Sequence, residues 1–504
     1  LTSRMVIIGV ALLLEFCWLA GIMMQLNEKS VYINYAVTIL SLIAVLSIIN
    51  NPKMNPGYKL MWAVCILALP VTGICLYGIL GHSSVARKFR THYDTVLLSQ
   101  GGVLGEEEET RKKLEEENIL AAGQSSYLTN YAHYPVYVNT ETEYYPLGDV
   151  WFEHFIEELK KAEHYIFMEY FIISEGYLWD TVLEILKEKA AAGVDVRVIY
   201  DDFGCVTTLP YQYYKSLQQM GIKCAAFNQF RPVLNVILNN RDHRKIAVID
   251  GHTAFTGGIN LADEYINRKE RFGHWKDTAI MLKGDAVLSF TMMFLQMWNI
   301  TERQPEDYAK YLTEKQPGFS RKDGYIIPYG DSPFDHENVG EEVYFHILNH
   351  AKKYVHIMTP YLILDNEMID ALTRAAKGGI EVQIIMPHIP DKPYAFYLAK
   401  TYYEELIAGG VEIYEYTPGF VHAKVFTSDD DTATVGSINL DYRSLYLHFE
   451  CGVFIYRNPV VRDIEKDFQE TLAKCQKITM TEVRNRSTFV KIYGQVLRLV
   501  APLM

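Results

Sequence analysis

Three apolar runs, 5–24, 31–49 and 60–80, open the chain, and its character changes after them. About 20 helical residues cross a hydrocarbon core of about 30 Å, so each run is long enough to be read as a transmembrane helix. Glu15 interrupts the first run and Pro70 the third. A mid-span carboxylate is tolerated where it faces other helices or water. A cleaved signal peptide would show one shorter run and no further spans. Lys29 in the loop 25–30, with Arg87, Lys88 and Arg90 after the third run, outweighs Arg4, Lys53 and Lys59 on the other side. That balance predicts a cytoplasmic location for everything after residue 84. Residues 105–118, GEEEETRKKLEEEN, read as a solvated linker or an exposed helix.

From about residue 126 the pattern alternates between helix and strand periods, and it does so twice. The first copy runs FIEELKKAEHYIFMEYFII, EILKEKAAAGVDVRVIYD, LQQMGIKCAAFN. The second runs FHILNHAKKYVHIMTPYLI, ALTRAAKGGIEVQIIMP, LIAGGVEIYEY. Each is an amphipathic helix, an apolar strand, a helix ending at glycine and a β-branched strand. The fold class expected is α/β, with one sheet in each of two repeated lobes. A pseudo-two-fold between the lobes would bring equivalent residues face to face at their junction. The expected organisation is a membrane domain over 1–83, a charged linker over 84–125, lobes over 126–312 and 313–480, and an amphipathic helix over 481–504. In that last segment Phe489, Ile492, Val496, Leu499 and Leu503 recur every three to four residues. The stripe fits a membrane surface or the catalytic core equally well.

Composition removes several classes. At 504 residues, 49% hydrophobic and 22% charged, the chain is no disordered protein. A formal net charge of −13 argues against a general nucleic-acid binder. Seven cysteines without a CxxC pair indicate neither a disulfide framework nor a zinc site.

Both copies continue into one short pattern. The first has His243, Lys245 and Asp250 followed by GHTAFTGGIN; the second has His422, Lys424 and Asp429 followed by DDTATVGSIN. In a strand, positions i and i+2 share a face, so each His and Lys point together while the Asp falls near the strand end. A histidine can attack phosphorus or move a proton near neutral pH. A lysine beside it offers fixed positive charge to phosphate oxygens. Two copies supply a nucleophile, a separate general acid and two cations for one phosphate.

These paired motifs resemble the phospholipase D superfamily. The flanks NPGYKLMWAVCILALPVTG, RDHRKIAVIDGHTAFTGGIN, INRKERFGHWKDTAIMLKG, GFVHAKVFTSDDDTATVGSINLDYRSL and VLRLVAPLM are similar to those of bacterial cardiolipin synthases over nearly the whole chain. The resemblance implies two phospholipase D-like lobes with pseudo-two-fold symmetry behind N-terminal transmembrane helices. It implies a multi-pass protein of the bacterial cell membrane. The implied partners are phosphatidylglycerol and cardiolipin; no nucleic acid, metal or cofactor is expected, and a homo-oligomer is left open.

Carried over by residue, the resemblance makes His243 the nucleophile that forms a phosphohistidine and His422 the acid and base. Lys245 and Lys424 would clamp the phosphate, as would Asn260 and Asn439. Asp250 and Asp429, part of the catalytic pattern, look like props for the loop after each strand. Each histidine needs a carboxylate that fixes its tautomer. Glu450 follows His422 and matches the superfamily's orienting acid, and Asp277 is the first-copy equivalent. Two departures are His448, where Asn usually precedes the Phe-Glu pair, and Asp242, where Asn commonly precedes the first motif histidine. Glu169 and Tyr361 sit at equivalent strand ends, as site lining or as packed termini. The implied reaction transfers a phosphatidyl group between two phosphatidylglycerols, giving cardiolipin and glycerol. The alternatives are a phospholipase D-type hydrolase, a phosphatidyltransferase with another acceptor, and a non-catalytic membrane scaffold.

Overall fold

The computed structural model describes Leu13, Glu15, Phe16 and residues 29–503, apart from 53, 79–83, 100–103, 106–107, 230–239, 303–307, 312–323 and 336. The first sequence copy forms a sheet of β1 (Thr140–Tyr145), β2 (Tyr165–Tyr170), β3 (Asp195–Asp201), β4 (Lys223–Phe227), β5 (Lys245–Ile249), β6 (Thr253–Gly257) and β8 (Ala279–Gly284), ordered β1-β8-β6-β5-β2-β3-β4; β7 (His274–Lys276) lies outside it. The second copy supplies β9 (Tyr325–Asp331), β10 (Tyr354–Met358), β11 (Glu381–Pro387), β12 (Glu412–Tyr416), β14 (Val425–Ser428), β15 (Thr432–Gly436), β16 (Glu450–Tyr456) and β17 (Cys475–Lys477). Their order is β9-β16-β15-β14-β10-β11-β12-β17. Except for β17, the two orders correspond strand for strand, with β2–β4 and β10–β12 parallel and the rest antiparallel. The remaining strand, β13 (Gly419–Val421), pairs in parallel with β7 and joins the lobes.

Burial explains the layers. β2, YIFMEY, is buried at every position, as befits a central strand covered on both faces. Helices Gly148–Lys161 and Tyr177–Ala191 cover the outer face of the first sheet through Trp151, Phe155, Leu178 and Trp179. Helices Val339–His350 and Asn366–Lys377 do the same for the second. Between the sheets, helix Val287–Glu302 is buried from Ser289 to Ile300 and shares one core with helix Val460–Leu472 and residues of both sheets. A helix apolar on all sides belongs in such a place.

The charged stretch is more than a linker. It forms helix Glu108–Glu117, anchored by buried Leu114, and the following helix Ile119–Asn130 puts Ala121, Ala122 and Leu128 into the core of the second lobe. The chain therefore packs on the second lobe before it builds the first.

The N-terminal expectations need correction. Among the described residues no helix is long and apolar enough to cross a membrane. The run 31–49 lies within helix Lys29–Ile49, but Tyr32, Asn34 and Tyr35 occupy its first turns. Its apolar part, 36–49, rises about 21 Å at about 1.5 Å per residue, short of the roughly 30 Å of a bilayer core. The run 60–80 is not one span: Pro70 ends helix Pro56–Ala68 and starts helix Pro70–Leu76, because proline cannot donate within a continuing helix. The break leaves early backbone N–H groups without intrahelical partners. Glu15 answers one of them, its Oε2 accepting from the Thr72 amide at 2.7 Å. The rest of the run 5–24 lies outside the described residues, apart from Leu13 and Phe16.

Candidate active site

The two histidines precede equivalent strands, His243 just before β5 and His422 after β13 and before β14. Their lead-in segments cross between lobes. The amide of His243 donates to the Phe449 carbonyl at 2.9 Å, and that of His422 to the Lys276 carbonyl at 2.7 Å. The residue after each of those carbonyls is a carboxylate, Glu450 and Asp277. Nδ1 of His243 lies 2.9 and 3.0 Å from the two oxygens of Glu450. Nδ1 of His422 lies 2.7 Å from Oδ2 of Asp277. Each imidazole is thus held by the acid of the other lobe. The sequence reading grouped Glu450 with His422 and Asp277 with the first copy; the fold exchanges them, because the pseudo-two-fold lays each lead-in beside its counterpart.

Each lysine folds back along its strand. Lys245 Nζ donates to the His243 carbonyl and Lys424 Nζ to the His422 carbonyl, with Lys424 Nζ also 2.8 Å from His422 Nδ1. Burial is the first cause of every shift here. It pushes His243 well below its ordinary value, helped by Lys245, His448, Lys424 and His422. It pushes His422 down to about 4, with Lys424 adding repulsion. Lys245 falls to about 8 and Lys424 to about 7, while Glu450 rises to about 8 against the pull of Lys245. Two lysines and two imidazoles against two carboxylates make a dry pocket in which every further positive charge is resisted. A phosphodiester anion reverses that balance: in low dielectric it stabilises each protonated nitrogen.

The motif aspartates sit apart from this cluster. Asp250 follows β5 at φ 51° and Asp429 follows β14 at φ 57°. Asp250 accepts from the amides of Glu163, His164 and Tyr165, each at 2.7 Å. Asp429 accepts from Lys352, Lys353 and Tyr354 at 2.7, 2.9 and 3.1 Å. They tie the turn after each motif strand to the start of the neighbouring strand.

Asn260 accepts from the Ile172 amide at 3.0 Å and donates to the Tyr265 hydroxyl at 2.8 Å. Asn439 is buried, and its Oδ1 has no hydrogen-bond partner among the described residues. Tyr265 and Trp275 flank the His422 ring, with centroids 5.4 and 5.6 Å away, and Phe171 lies edge-on to His243 at 4.8 Å. Glu169 is wholly buried and pairs with Arg244 Nη2 at 2.6 Å; Asp242 takes the same guanidinium through Nε at 3.2 Å. Tyr361 hydrogen-bonds Asp391 and Lys392. The ring of His448 is 5.9 Å from that of His243 and lines a recess of about 590 Å³ that also carries Asn55, Asp331, Glu341 and Glu342.

Sequence reasoning missed two positions. Ser437 Oγ donates to Oε2 of Glu450. Its counterpart Gly258 has no side chain because a Cβ there would overlap the Asp277 carboxylate. Both are the second residue of the G[GS]IN segment, so the signal was the one difference between two otherwise matching motifs.

Comparison with known proteins agrees with this geometry. The family model described as "Cardiolipin synthase, PLD-like domain" matches residues 155–298 and 344–472, one match per lobe. A second, "Phospholipase_D-nuclease N-terminal", matches residues 39–82. The chain belongs to the cardiolipin synthase-like phospholipase D family. It is 32% identical to a cardiolipin synthase of Halalkalibacterium halodurans, over 89% of this chain and 90% of that one. It is 33% identical to cardiolipin synthase 2 of Bacillus anthracis, over 89% and 87%. A Streptococcus mutans relative described as an uncharacterized protein reaches 46%, over 92% and 99%. Phosphatidylserine synthase from Haemophilus influenzae shares the fold at a TM-score of 0.57, with 15% identity over 77% of this chain and all of that one. In this cardiolipin synthase-like chain the two family matches cover the elements that carry His243 and Asp277 in one lobe and His422 and Glu450 in the other.

Proposed function

We propose that the chain is a cardiolipin synthase, which moves a phosphatidyl group from one phosphatidylglycerol to the terminal glycerol hydroxyl of another. The observation that carries this reading is the exchanged pair of His–carboxylate contacts. With Nδ1 of each imidazole committed to a carboxylate, Nε2 is the reactive nitrogen on both.

Nε2 of His243 attacks phosphorus, and the P–O bond to the first headgroup breaks. His422 gives that glycerol oxygen its proton. The phosphatidyl group then sits on His243 as a phosphohistidine. His422, now neutral, takes the proton from the hydroxyl of the second phosphatidylglycerol. Its oxygen attacks phosphorus, the P–N bond breaks, and His243 leaves unchanged with cardiolipin formed. Lys245 and Lys424 hold the phosphoryl oxygens as charge develops. Asn260 and Asn439 line the same region, and Asp250 and Asp429 hold the motif strands in place. The recess beside His448, walled by amides and carboxylates, suits an uncharged, hydroxyl-rich headgroup better than an anion. The N-terminal apolar helices would keep the chain at the bacterial membrane with its lobes on the cytoplasmic side, where donor, acceptor and product lipids reside.

The test uses purified full-length protein in mixed micelles with headgroup-labelled phosphatidylglycerol and a chelator, beside His243→Ala and His422→Ala. Cardiolipin with released glycerol, lost in both variants, is the expected result. Phosphatidic acid in place of cardiolipin would make water the acceptor, and no lipid turnover would leave a scaffold.

A further inference from the structure

The last helix, Thr488–Leu499, is seated on one side only. Gly494 lies so close to Thr401 that a Cβ would collide with its side chain. Leu497 packs against the core of the second lobe, and the Arg498 guanidinium lies 4.5 Å above the Tyr402 ring. Among the described residues nothing covers the other side. Phe489, Ile492 and Val496 are 77, 59 and 56% exposed, and Leu499 is half exposed. These are four of the five stripe positions of the sequence pattern, the side chain of Leu503 lying outside the described ones, so the structure turns this part of the stripe outward rather than against the catalytic core.

A contiguous outward apolar stripe marks a contact surface. Three observations say with what. The stripe does not stand alone: the chain turns from this helix into Ala501–Leu503, where Pro502 sits against Gly57 of helix Pro56–Ala68. That helix presents Leu60, Val64 and Leu67 to the outside as well. The segment from residue 480 onward carries Arg484, Arg486, Lys491 and Arg498 against Glu482, in a chain whose net charge is −13; Arg484 and Arg498 pair with Glu404 and Glu405, and Lys491 is exposed beside the stripe. Exposed Tyr394 and Tyr397 lie alongside, Tyr397 stacking edge-on with Tyr493 at 6.0 Å; tyrosine favours the headgroup level, where one end of its ring is wet. An anionic lipid surface matches an apolar stripe with basic flanks, whereas a second copy docked by the same face would set those basic flanks against their like.

We propose that the C-terminal helix is a lipid-docking element that lies in the interface of an anionic bilayer, with Phe489, Ile492, Val496 and Leu499 in the acyl boundary and the exposed Lys491 and Arg484 at phosphate level. Together with helix Pro56–Ala68 it holds the second lobe to the surface at two adjoining points. The proposal does not depend on which reaction the site performs.

A photo-crosslinking residue placed at Ile492 of the full-length protein tests it in vesicles of phosphatidylcholine with and without phosphatidylglycerol. Glu184, on the outer face of the first lobe, is the reference position. The expected product is a phospholipid adduct at 492, several-fold stronger with the anionic lipid and lacking at 184. A crosslinked dimer or an adduct within the chain at 492 would overturn the proposal. Ile492→Glu with Val496→Glu, both at exposed positions, should leave the melting temperature unchanged and reduce lipid crosslinking from Phe489 at least fivefold. Unreduced crosslinking there would also overturn it. A lipid adduct from a chain that turns over no lipid would refute the synthase reading and support the docking helix.

Discussion

Nδ1 of His243 lies 2.9 Å from Oε1 of Glu450, 207 positions along the chain and in the other lobe. His422 and Asp277 repeat the relationship across 145 positions. Neither lobe alone holds a histidine with its orienting acid, so the site exists only where the lobes meet. That dependence accounts for the shared core around helix Val287–Glu302: the interface must be as rigid as a domain interior to hold both contacts.

Glu450→Gln keeps the shape and removes the charge that fixes the tautomer. On the precedent of buried orienting acids, kcat should fall by on the order of 10²–10⁴-fold with little change in KM. Nitrogen NMR on labelled histidine checks the pairing directly. The substitution should move the His243 signals and leave those of His422 in place, and Asp277→Asn should do the reverse. Movement of the same-lobe histidine instead would refute the exchange.

Gly258→Ala should be more damaging than its size implies. The added Cβ would overlap the Asp277 carboxylate and lie 2.9 Å from the His422 carbonyl oxygen, a backbone atom. Activity should fall at least tenfold, together with a lower melting temperature. Ser437→Ala, at the equivalent place, removes only a hydroxyl from Glu450 and should cost a few-fold in kcat. If both alanines behave alike, the asymmetry drawn from the two motifs is wrong.

Asp250→Asn and Asp429→Asn separate the motif aspartates from the chemistry. Each carboxylate accepts three backbone amides at a left-handed turn, and hydrogen bonds to a charged group are worth about 1.5–3 kcal/mol each at most. The amide can keep part of that set. A stability loss of about 1–3 kcal/mol is expected, read by chemical denaturation, with kcat per folded molecule within a few-fold of the parent. A collapse of kcat without a stability loss would place them in the reaction.

Much of this was legible in the sequence because it is local or repeated. The two sheets follow from strand-period runs such as YIFMEY, and the site from two matching His-x-Lys segments. What was not legible is relational. Nothing along the chain says that Glu450 answers His243 rather than His422, since the choice is made by backbone pairing of Phe449 with the segment before His243. The charge run hid its apolar anchor, Leu114, among ten helical residues. Pro70 was visible, but the partner of the helix it starts, Glu15, lies 57 positions away.

The pH dependence follows from the lysines. Burial pushes Lys245 down to about 8 and Lys424 to about 7, so in the free enzyme both begin to lose charge near neutrality. An ammonium is charged below its pKa, and a phosphodiester anion is attracted only while it is charged. kcat/KM, which reads the free enzyme, should therefore fall as pH rises through about 7 to 8. kcat should hold to higher pH, because bound phosphate stabilises the ammonium form of both. The acid side should stay open below neutrality, since His243, which must be neutral to attack, is pushed well below its usual value; His422, pushed down to about 4 in the free site, takes up its proton as the phosphodiester anion binds. The four nitrogens share one pocket, so the alkaline limb belongs to the cluster rather than to one residue. Lys424→Arg keeps its charge over the whole range. It should move that limb up by a pH unit or more while lowering the plateau, because a guanidinium cannot reproduce the close contact of Lys424 Nζ with the His422 carbonyl. Profiles of kcat/KM from pH 5 to 10 at constant ionic strength decide the matter. A limb that stays put in the arginine variant would mean that the charge on Lys424 is not what draws the substrate in.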